Sequence, residues 1–523
     1  MSTITASPAL SEASRLAEDG KLELAAQHVM GHLRANPGDP RALALLGSVA
    51  MRLGALGQSE AFLRQALARE PTTEARRHLA SNLNQQERLA EALDLFRALE
   101  RESGDPGTAA LVAITLDKLG RNEEALAIQE RLTAANPDRP AYWVGYGHNL
   151  RAAGRVPEAI AAYRRAVTAD FEFGEGWWGL ASIKQKIFTD EDIVAMREGL
   201  RIAIDIRNSA PLHFSLARAL HDRERHEEAF THYVEGNRQR AESIGYDASE
   251  LTAEIAEVER VVDPAFIASL NAAPVGDATP VFIVSLPRSG STLLEQMLAS
   301  HSQVEAIGEL PYIPAILRTA MEMATRRGRV TVPQIIASLP PEVATAMGQD
   351  YLRRAALHRK TDRPFFVDKL PHNWSNILFI KRILPQARFL DIRRPAMDCC
   401  FSNFTQSFST AHASSFTLKD IGQCYVDYVR LMDHLNGVAP GLVHHVSYDR
   451  LIEDAETQLR AALDYLGLHW DPAVLEFHRL DRVVRTPSSE QVRRPLNRDG
   501  VDVWKPYSQW LDPLRETLGP LAV

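Results

Sequence analysis

Cysteine is scarce in this chain, which has only Cys399, Cys400 and Cys424. Adjacent cysteines do not readily bridge each other, and no C-x-x-C pair is present. The sequence therefore supports neither a disulfide framework nor a zinc site. This cysteine usage is typical of a reducing compartment. We expect no bound metal.

Long apolar runs and an excess of basic charge are also lacking. No stretch approaches the about 18–20 apolar residues that span a bilayer. The first residues do not show a basic segment followed by an apolar one, as a secretory signal would. The formal net charge of −8 argues against extensive nucleic-acid binding, which would need a basic face, although a local basic site stays open. We therefore expect a cytoplasmic protein with no membrane span and no nucleic-acid partner.

The chain has 523 residues, a length that predicts two or three domains. An internal repeat occupies its first half. Gly120-Arg-Asn-Glu-Glu-Ala-Leu126 aligns with Gly154-Arg-Val-Pro-Glu-Ala-Ile160, and the shared alanines lie 34 residues apart. This period matches the tetratricopeptide pattern, in which small residues let two antiparallel helices approach each other. We expect about six units within residues 8–240, with an unrelated bundle of helical hairpins as the less favoured alternative. The ligand of the repeats is unknown, and a purely structural role is equally open.

The second half has a different pattern. After an expected helical linker at residues 241–279, short apolar runs rich in β-branched and aromatic residues alternate with helical segments. The first such run is Val281-Phe-Ile-Val-Ser-Leu286, and the alternation predicts an α/β domain with a mainly parallel sheet at residues 280–523. The expected fold class is thus an all-α tetratricopeptide solenoid followed by an α/β domain.

A hydroxyl-rich loop, Pro287-Arg-Ser-Gly-Ser-Thr292, follows this first strand and opens into a helix. A loop in that position directs backbone N–H groups and the positive end of the helix dipole toward an anion. Arg288 adds a forked cation suited to phosphate oxygens. The G-x-x-x-x-G-K-[ST] pattern and its lysine are missing, which disfavours a kinase or a nucleotide hydrolase.

This strand, loop and helix resemble the 5′-phosphosulfate loop of sulfotransferases. The likeness is greatest to the branch that holds protein-tyrosine sulfotransferases and bacterial tetratricopeptide–sulfotransferase fusions, and it extends over about residues 280–510. It implies a P-loop-like domain with 3′-phosphoadenosine 5′-phosphosulfate (PAPS) as co-substrate. The loop residues that it implies as ligands are Arg288, Ser289, Gly290, Ser291 and Thr292.

Further motifs of this family follow in order. The Arg393-Arg-Pro-Ala-Met-Asp398 segment and Ser402 resemble the 3′-phosphate motif, which leaves either Arg393 or Arg394 as the ligand beside Ser402. Tyr448 stands in a segment whose tyrosine contacts the nucleotide in relatives. The C-terminal residues that map onto positions closing over the cofactor are Ser488 and Lys505, with Arg493 and Arg494 as additional candidates.

The catalytic residues implied by the resemblance are Glu309, Lys369, Arg288 and Ser488. Glu309 lies 21 residues after Arg288, the spacing of the general base in protein-tyrosine sulfotransferases, and His372 is the competing base. Lys369 would stabilise the bridging oxygen as the phosphate leaves. We expect sulfuryl transfer to an acceptor hydroxyl, with a peptide or protein favoured as acceptor. The alternative is a tetratricopeptide scaffold protein with a non-catalytic nucleotide-binding domain.

Overall fold

The structure is a computed structural model that describes residues 8–203, 205–325, 331–408, 410–480, 482–484, 486 and 491–522. The chain divides into two compact units. The first comprises residues 1–132 and 315–328, and the second comprises residues 133–314 and 329–523. Within the described residues, no helix is both long and apolar enough to cross a membrane.

Helical hairpins make up the N-terminal part of the chain. Asp39 and Asp105 each cap the helix that follows, because their carboxylates accept hydrogen bonds from the first free backbone N–H groups. A proline directly after each cap fits the first helical turn, where its missing N–H costs nothing. The helices are α1 (Pro8–Glu18), α2 (Leu22–Ala35), α3 (Pro40–Arg52), α4 (Leu56–Arg69), α5 (Thr73–Gln85), α6 (Leu89–Ser103), α7 (Pro106–Lys118) and α8 (Asn122–Ala135).

The repeat pattern continues into the second unit. Gly154, at the turn between two helices of one hairpin, has φ +79°, a left-handed conformation that favours glycine. Tyr163 is fully buried and fills the space between two other glycines of the repeat, Gly147 and Gly179. The helices are α9 (Pro140–Ala152), α10 (Val156–Ala169), α11 (Gly174–Ala181), α12 (Asp190–Ile202), α13 (Ile206–His221), α14 (His226–Ile244), α15 (Ala248–Val261) and α16 (Pro264–Ser269).

A five-stranded parallel sheet in the order β2-β3-β1-β4-β5 forms the centre of the remaining chain. Its strands are β1 (Thr279–Val284), β2 (Val304–Ala306), β3 (Phe365–Asp368), β4 (Arg388–Arg393) and β5 (Val443–Ser447). The α-helices of this part are α17 (Ser291–Ala299), α18 (Tyr312–Thr325), α19 (Val332–Ser338), α20 (Pro341–Ala356), α21 (Ile377–Ile383), α22 (Ala396–Phe404), α23 (Leu418–Val438), α24 (Tyr448–Glu453), α25 (Ala455–Leu466) and α26 (Asp512–Leu518).

The central strand β1 is buried on both faces, which explains why it reads as a continuous apolar run. Val281, Ile283 and Leu390 are fully buried in one cluster with residues of α17 and α25. A parallel sheet needs such cover on each side. The predicted fold class, a helical repeat array followed by an α/β domain with a parallel sheet, is confirmed. The boundaries near residues 240 and 280 stay a prediction.

The packing around Tyr163 gives a test of the repeat architecture. A Cβ added at Gly147 would lie 2.5 Å from Tyr163 Cε1, so Gly147→Ala should destabilise the protein by about 1–3 kcal/mol. Gly31, on the exposed side of α2, has nothing within 4 Å of such an atom. Gly31→Ala should therefore stabilise the protein by up to about 1 kcal/mol. Urea unfolding of both variants measures the two effects, and equal midpoints would contradict this packing.

Candidate functional site

The loop between β1 and α17 has an unusual backbone at two positions. Arg288 has φ +68° and Gly290 has φ +97°, both in the left-handed region. A Cβ at Gly290 would lie 2.4 Å from the ring of Tyr448, so the site requires glycine for space as well as for conformation. Gly290 is the residue before the first turn of α17. The free backbone N–H groups of that turn can therefore face an anion above the loop.

Two arginines from distant parts of the sequence meet beside this loop. Arg394 Nη1 donates to the carbonyl oxygen of Arg288 at 2.8 Å, and Arg288 Nε donates to Ser402 Oγ at 3.2 Å. The Arg394 guanidinium also lies 5.3 Å from the ring centroid of Tyr448. Burial, together with the neighbouring charge of Arg394, lowers the pKa of Arg288 to about 10. This arrangement of cations favours a bound anion.

Arg393 and Arg394 have different partners, although they are adjacent. Side chains two residues apart on a strand share a face, and Arg393 accordingly lies 3.5 Å from the buried carboxylate of Asp391. Its guanidinium is 5.4 Å from the ring centroid of Tyr428, whose hydroxyl donates to Asp391. Arg394 instead donates to the loop at the Arg288 carbonyl oxygen and, with Ser402, lines the cavity described below. The geometry therefore favours Arg394 over Arg393 as the anion ligand.

Glu309 and Lys369 form a direct ion pair, in which Lys369 Nζ donates to Glu309 Oε1. The backbone of Lys369 also donates to the carbonyl oxygen of Gly308 at 2.9 Å. The side chain of Lys369 is 1% exposed, whereas that of Glu309 is 41% exposed. The carboxylate is thus held at the cavity wall by an ammonium group that lies behind it.

Asp368 ties the segment of Glu309 to the end of β3. Its carboxylate is fully buried and accepts from Leu310 N at 3.3 Å and from Tyr351 Oη at 2.8 Å. Burial raises the pKa of Asp368 to about 7, and the hydrogen bonds from Tyr351 and Leu310 oppose that rise. The two strand ends that carry Glu309 and Lys369 are therefore joined by main-chain and side-chain hydrogen bonds.

His372, the competing base, is not one of the lining residues of the cavity described below, although Leu370 and Pro371 are. Burial lowers its pKa, and its ring centroid is 5.3 Å from that of His412 and 6.3 Å from that of Trp374. His412 does line the cavity, and burial lowers its pKa to about 4, with a smaller contribution from His372. A histidine with so low a pKa is a weak base, and the sequence motifs did not single out His412.

One cavity of about 730 Å³ brings most of the predicted residues together. Ser289 and Lys369 are buried directly behind its wall, and the Ser289 hydroxyl lies 3.3 Å from Cys399 Sγ. The volume falls within the range of about 300–1,000 Å³ that is usual for small-molecule sites. The predicted residues that line this cavity are Arg288, Gly290, Ser291, Thr292, Glu309, Arg394, Ser402, Tyr448, Arg493 and Arg494.

Among the predicted residues that the structure describes, Lys505 does not line this cavity. Lys505 is exposed and forms an ion pair on the surface, with its Nζ 2.7 Å from Asp502 Oδ2. Ser488 lies outside the described residues. Over the part of the chain that the structure describes, no three His, Cys, Asp or Glu side chains are grouped as a metal would require.

Sequence reasoning missed the contribution of the repeat helices to the cavity. Motif spacing gives no sign of it, because which helix covers a distant loop depends on packing between elements. The repeat residues that line the cavity include Val156, Trp178, Ser182, Arg218, His221 and Tyr233. The site is therefore built from both halves of the sequence.

Comparison with known proteins gives the same two-part organisation. Residues 280–472 match the model of the Sulfotransferase family. Tetratricopeptide repeat models match residues 40–73, 58–106 and 113–171.

Curated relatives fall into two groups. An uncharacterized protein of Aquifex aeolicus is 29% identical over 435 residues, which cover 82% of this chain and 52% of that protein. Protein-tyrosine sulfotransferase 1 of Danio rerio is 25% identical over 240 residues, which cover 44% of this chain and 66% of the relative. The human protein-tyrosine sulfotransferase 1 is 24% identical over 241 residues, covering 44% and 64%. The matches thus span about half to two thirds of the length of these relatives.

The buried carboxyl of Asp368 should make stability depend on pH. Its folded-state pKa of about 7 exceeds the value of about 3.9 for an unfolded chain, so the folded protein binds this proton more tightly. The free energy of unfolding should therefore fall as the pH rises from about 4 to about 7. In Asp368→Asn, this part of the fall should disappear when urea unfolding is compared at pH 5 and pH 8.

Asp247→Asn provides the control for that measurement. Asp247 is exposed, and hydrogen bonds from Ser249 hold the pKa of its carboxyl below the usual range. It stays ionised across the window tested, so its replacement should leave the difference between pH 5 and pH 8 unchanged. An Asp368→Asn protein with the wild-type difference would contradict the assigned pKa.

Proposed function

We propose that this chain, whose residues 280–472 match the Sulfotransferase family model and follow tetratricopeptide repeats, moves a sulfuryl group from PAPS to an acceptor hydroxyl. The observation that carries this proposal is the shared cavity. Arg288, Arg394 and Glu309 line it although they come from distant parts of the sequence. A doubly phosphorylated donor and a general base require this kind of convergence.

The described residues fit a nucleotide donor that carries a 5′-phosphosulfate and a 3′-phosphate. The left-handed turn at Gly290 lets the loop pack against the ring of Tyr448 at the N-terminus of α17, whose free backbone N–H groups suit the 5′-phosphosulfate. Arg394 and Ser402 lie together near the loop and suit the 3′-phosphate. The lowered pKa of Arg288 supports the same assignment, because a bound anion would relieve the repulsion between the two cations.

In the proposed reaction, Glu309 accepts a proton and Lys369 stabilises the negative charge of the leaving phosphate. The Glu309 carboxylate takes the proton of the acceptor hydroxyl as its oxygen bonds to sulfur. The bond between sulfur and the phosphate oxygen of the donor breaks, and the leaving phosphate carries the negative charge away. Lys369, buried behind the wall, can donate to that developing charge. Arg288 holds the donor in line with the acceptor.

A peptide or protein is the favoured acceptor. The relatives matched by this domain include protein-tyrosine sulfotransferases, and tetratricopeptide arrays commonly bind other proteins. Both arguments are analogies, so the acceptor is identified directly by experiment. Incubation with radiolabelled PAPS and a cell lysate, followed by identification of the labelled product, gives that answer.

Nucleotide binding tests the donor assignment. The product 3′-phosphoadenosine 5′-phosphate should raise the melting temperature, since any ligand of the native state stabilises it. ATP with Mg²⁺ should raise it less, because ATP has no 3′-phosphate for Arg394 and Ser402. Equal shifts from both nucleotides would point away from a sulfotransferase site. No shift from either would favour the scaffold alternative, in which the domain is non-catalytic.

Replacement of the proposed base separates binding from turnover. Glu309→Gln should keep the shift in melting temperature caused by 3′-phosphoadenosine 5′-phosphate, since no donor contact is assigned to the carboxylate. Transfer of radiolabel from PAPS to lysate acceptors should fall by about 10²- to 10⁴-fold, the usual contribution of a general base. Glu342→Gln, an exposed change in α20, is the matched control. Unchanged transfer by the Glu309 variant would remove it from this role.

A further inference from the structure

Arg151, near the end of repeat helix α9, connects to the phosphate loop through hydrogen bonds. Its Nη1 donates to Ser182 Oγ at 2.7 Å, and its Nη2 donates to the carbonyl oxygen of Thr486 at 3.3 Å. Thr486 Oγ1 in turn accepts from Thr292 Oγ1, in the first turn of α17, at 3.2 Å. Ser182, Thr486 and Thr292 all line the cavity. The repeat helix is thus linked to the loop assigned to the 5′-phosphosulfate.

A second connection reaches α22, the helix that carries Ser402. Asn237 of repeat helix α14 is 1% exposed, and its Nδ2 donates to the carbonyl oxygen of Phe404 at 2.8 Å. Phe404 is the last residue of α22. A buried hydrogen bond of this kind is costly to break, because the carbonyl would lose its partner away from water.

The aromatic side chain of Tyr507 strengthens the same connection. Its ring centroid lies 4.7 Å from that of Phe401 on α22, and its hydroxyl is 2.8 Å from His221 Nδ1 at the end of α13. His221 also lines the cavity. Both elements assigned to the donor phosphates are therefore attached to repeat helices of the same compact unit.

Resting on the function proposed above, we propose that repeat helices α9–α14 are a structural part of the donor site. Arg151 is a positioning residue that fixes Thr486 over the phosphate loop. Binding of the donor nucleotide and the stability of these helices are then thermodynamically linked, so each increases the other. The physical reason is preorganisation, because a loop held in its binding conformation pays less conformational entropy when the anion arrives.

The affinity of the full-length protein for 3′-phosphoadenosine 5′-phosphate tests the link by isothermal titration. Arg151→Ala should weaken binding by about 5- to 30-fold, the effect expected when hydrogen bonds that order the loop are lost. Arg151→Lys keeps the positive charge and can form one of the two hydrogen bonds, so it should recover part of the affinity. Arg201→Ala, which removes an exposed ion pair with Glu198 in α12, should bind as the wild type does.

Hydrogen exchange gives a readout that a purely structural role would not move. In the wild type, the nucleotide should slow amide exchange in α9 and α11 as well as in the loop and α17. In Arg151→Ala, the protection of α9 and α11 should be lost, while protection of α17 remains at saturating nucleotide. Protection of the loop alone in the wild type would overturn the proposal.

A milder variant covers the case in which Arg151→Ala does not fold. Ser182→Ala removes only the hydroxyl that holds Arg151 Nη1, and it should weaken nucleotide binding by a smaller factor, about 2- to 5-fold. Wild-type affinity in every variant that folds would overturn the link between repeats and donor. If the wild type itself does not bind 3′-phosphoadenosine 5′-phosphate, the proposed function fails, and that result is distinct from a failure of the link.

Discussion

Two positive charges lie next to each other at the edge of the sheet, and much of the surrounding structure depends on holding them there. Arg394 has Asp398 as a partner at 3.4 Å, whereas the pKa of Arg288 falls to about 10 under burial and the charge of Arg394. Such a pair is stable only because hydrogen bonds fix its members. The left-handed turn, Ser402 and the ring of Tyr448 supply that fixation. An anion bound in the cavity would stabilise both charges at once.

Parallel strand topology explains how residues from such different positions converge. All five strands end at the same edge of the sheet, because every pairing is parallel. Arg288, Glu309, Lys369, Arg394 and Tyr448 each follow the carboxyl end of a different strand within a few residues. Ligands of open α/β sheets bind at this edge for the same geometric reason. The order β2-β3-β1-β4-β5 places the loop after β1 in the centre, between the ion pair on one side and Arg394 on the other.

Local sequence patterns made the fold and the loop residues of the site predictable. Contacts between elements that are distant in the sequence could not be predicted in this way. The 34-residue period and the apolar runs reflect interactions within one hairpin or one strand, so sequence spacing reports them directly. The choice between Arg393 and Arg394 needed the structure, since it depends on Asp391 in the same strand and on Tyr428 of α23. The repeat-side wall with Trp178 and Ser182 left no trace in any motif. Packing between elements carries that information, and it has no fixed spacing in the sequence.

The ion pair of Glu309 and Lys369 follows from the burial of the lysine. An ammonium group that is 1% exposed needs a charged or strongly polar partner, because its desolvation would otherwise cost several kcal/mol. Glu309 supplies that partner before any ligand enters. In the proposed reaction, the donor phosphate would offer Lys369 a second anion, and the carboxylate would then be released from its role as counterion. The burial of Lys369 therefore links the arrival of the donor to the freedom of the Glu309 carboxylate to contact the acceptor.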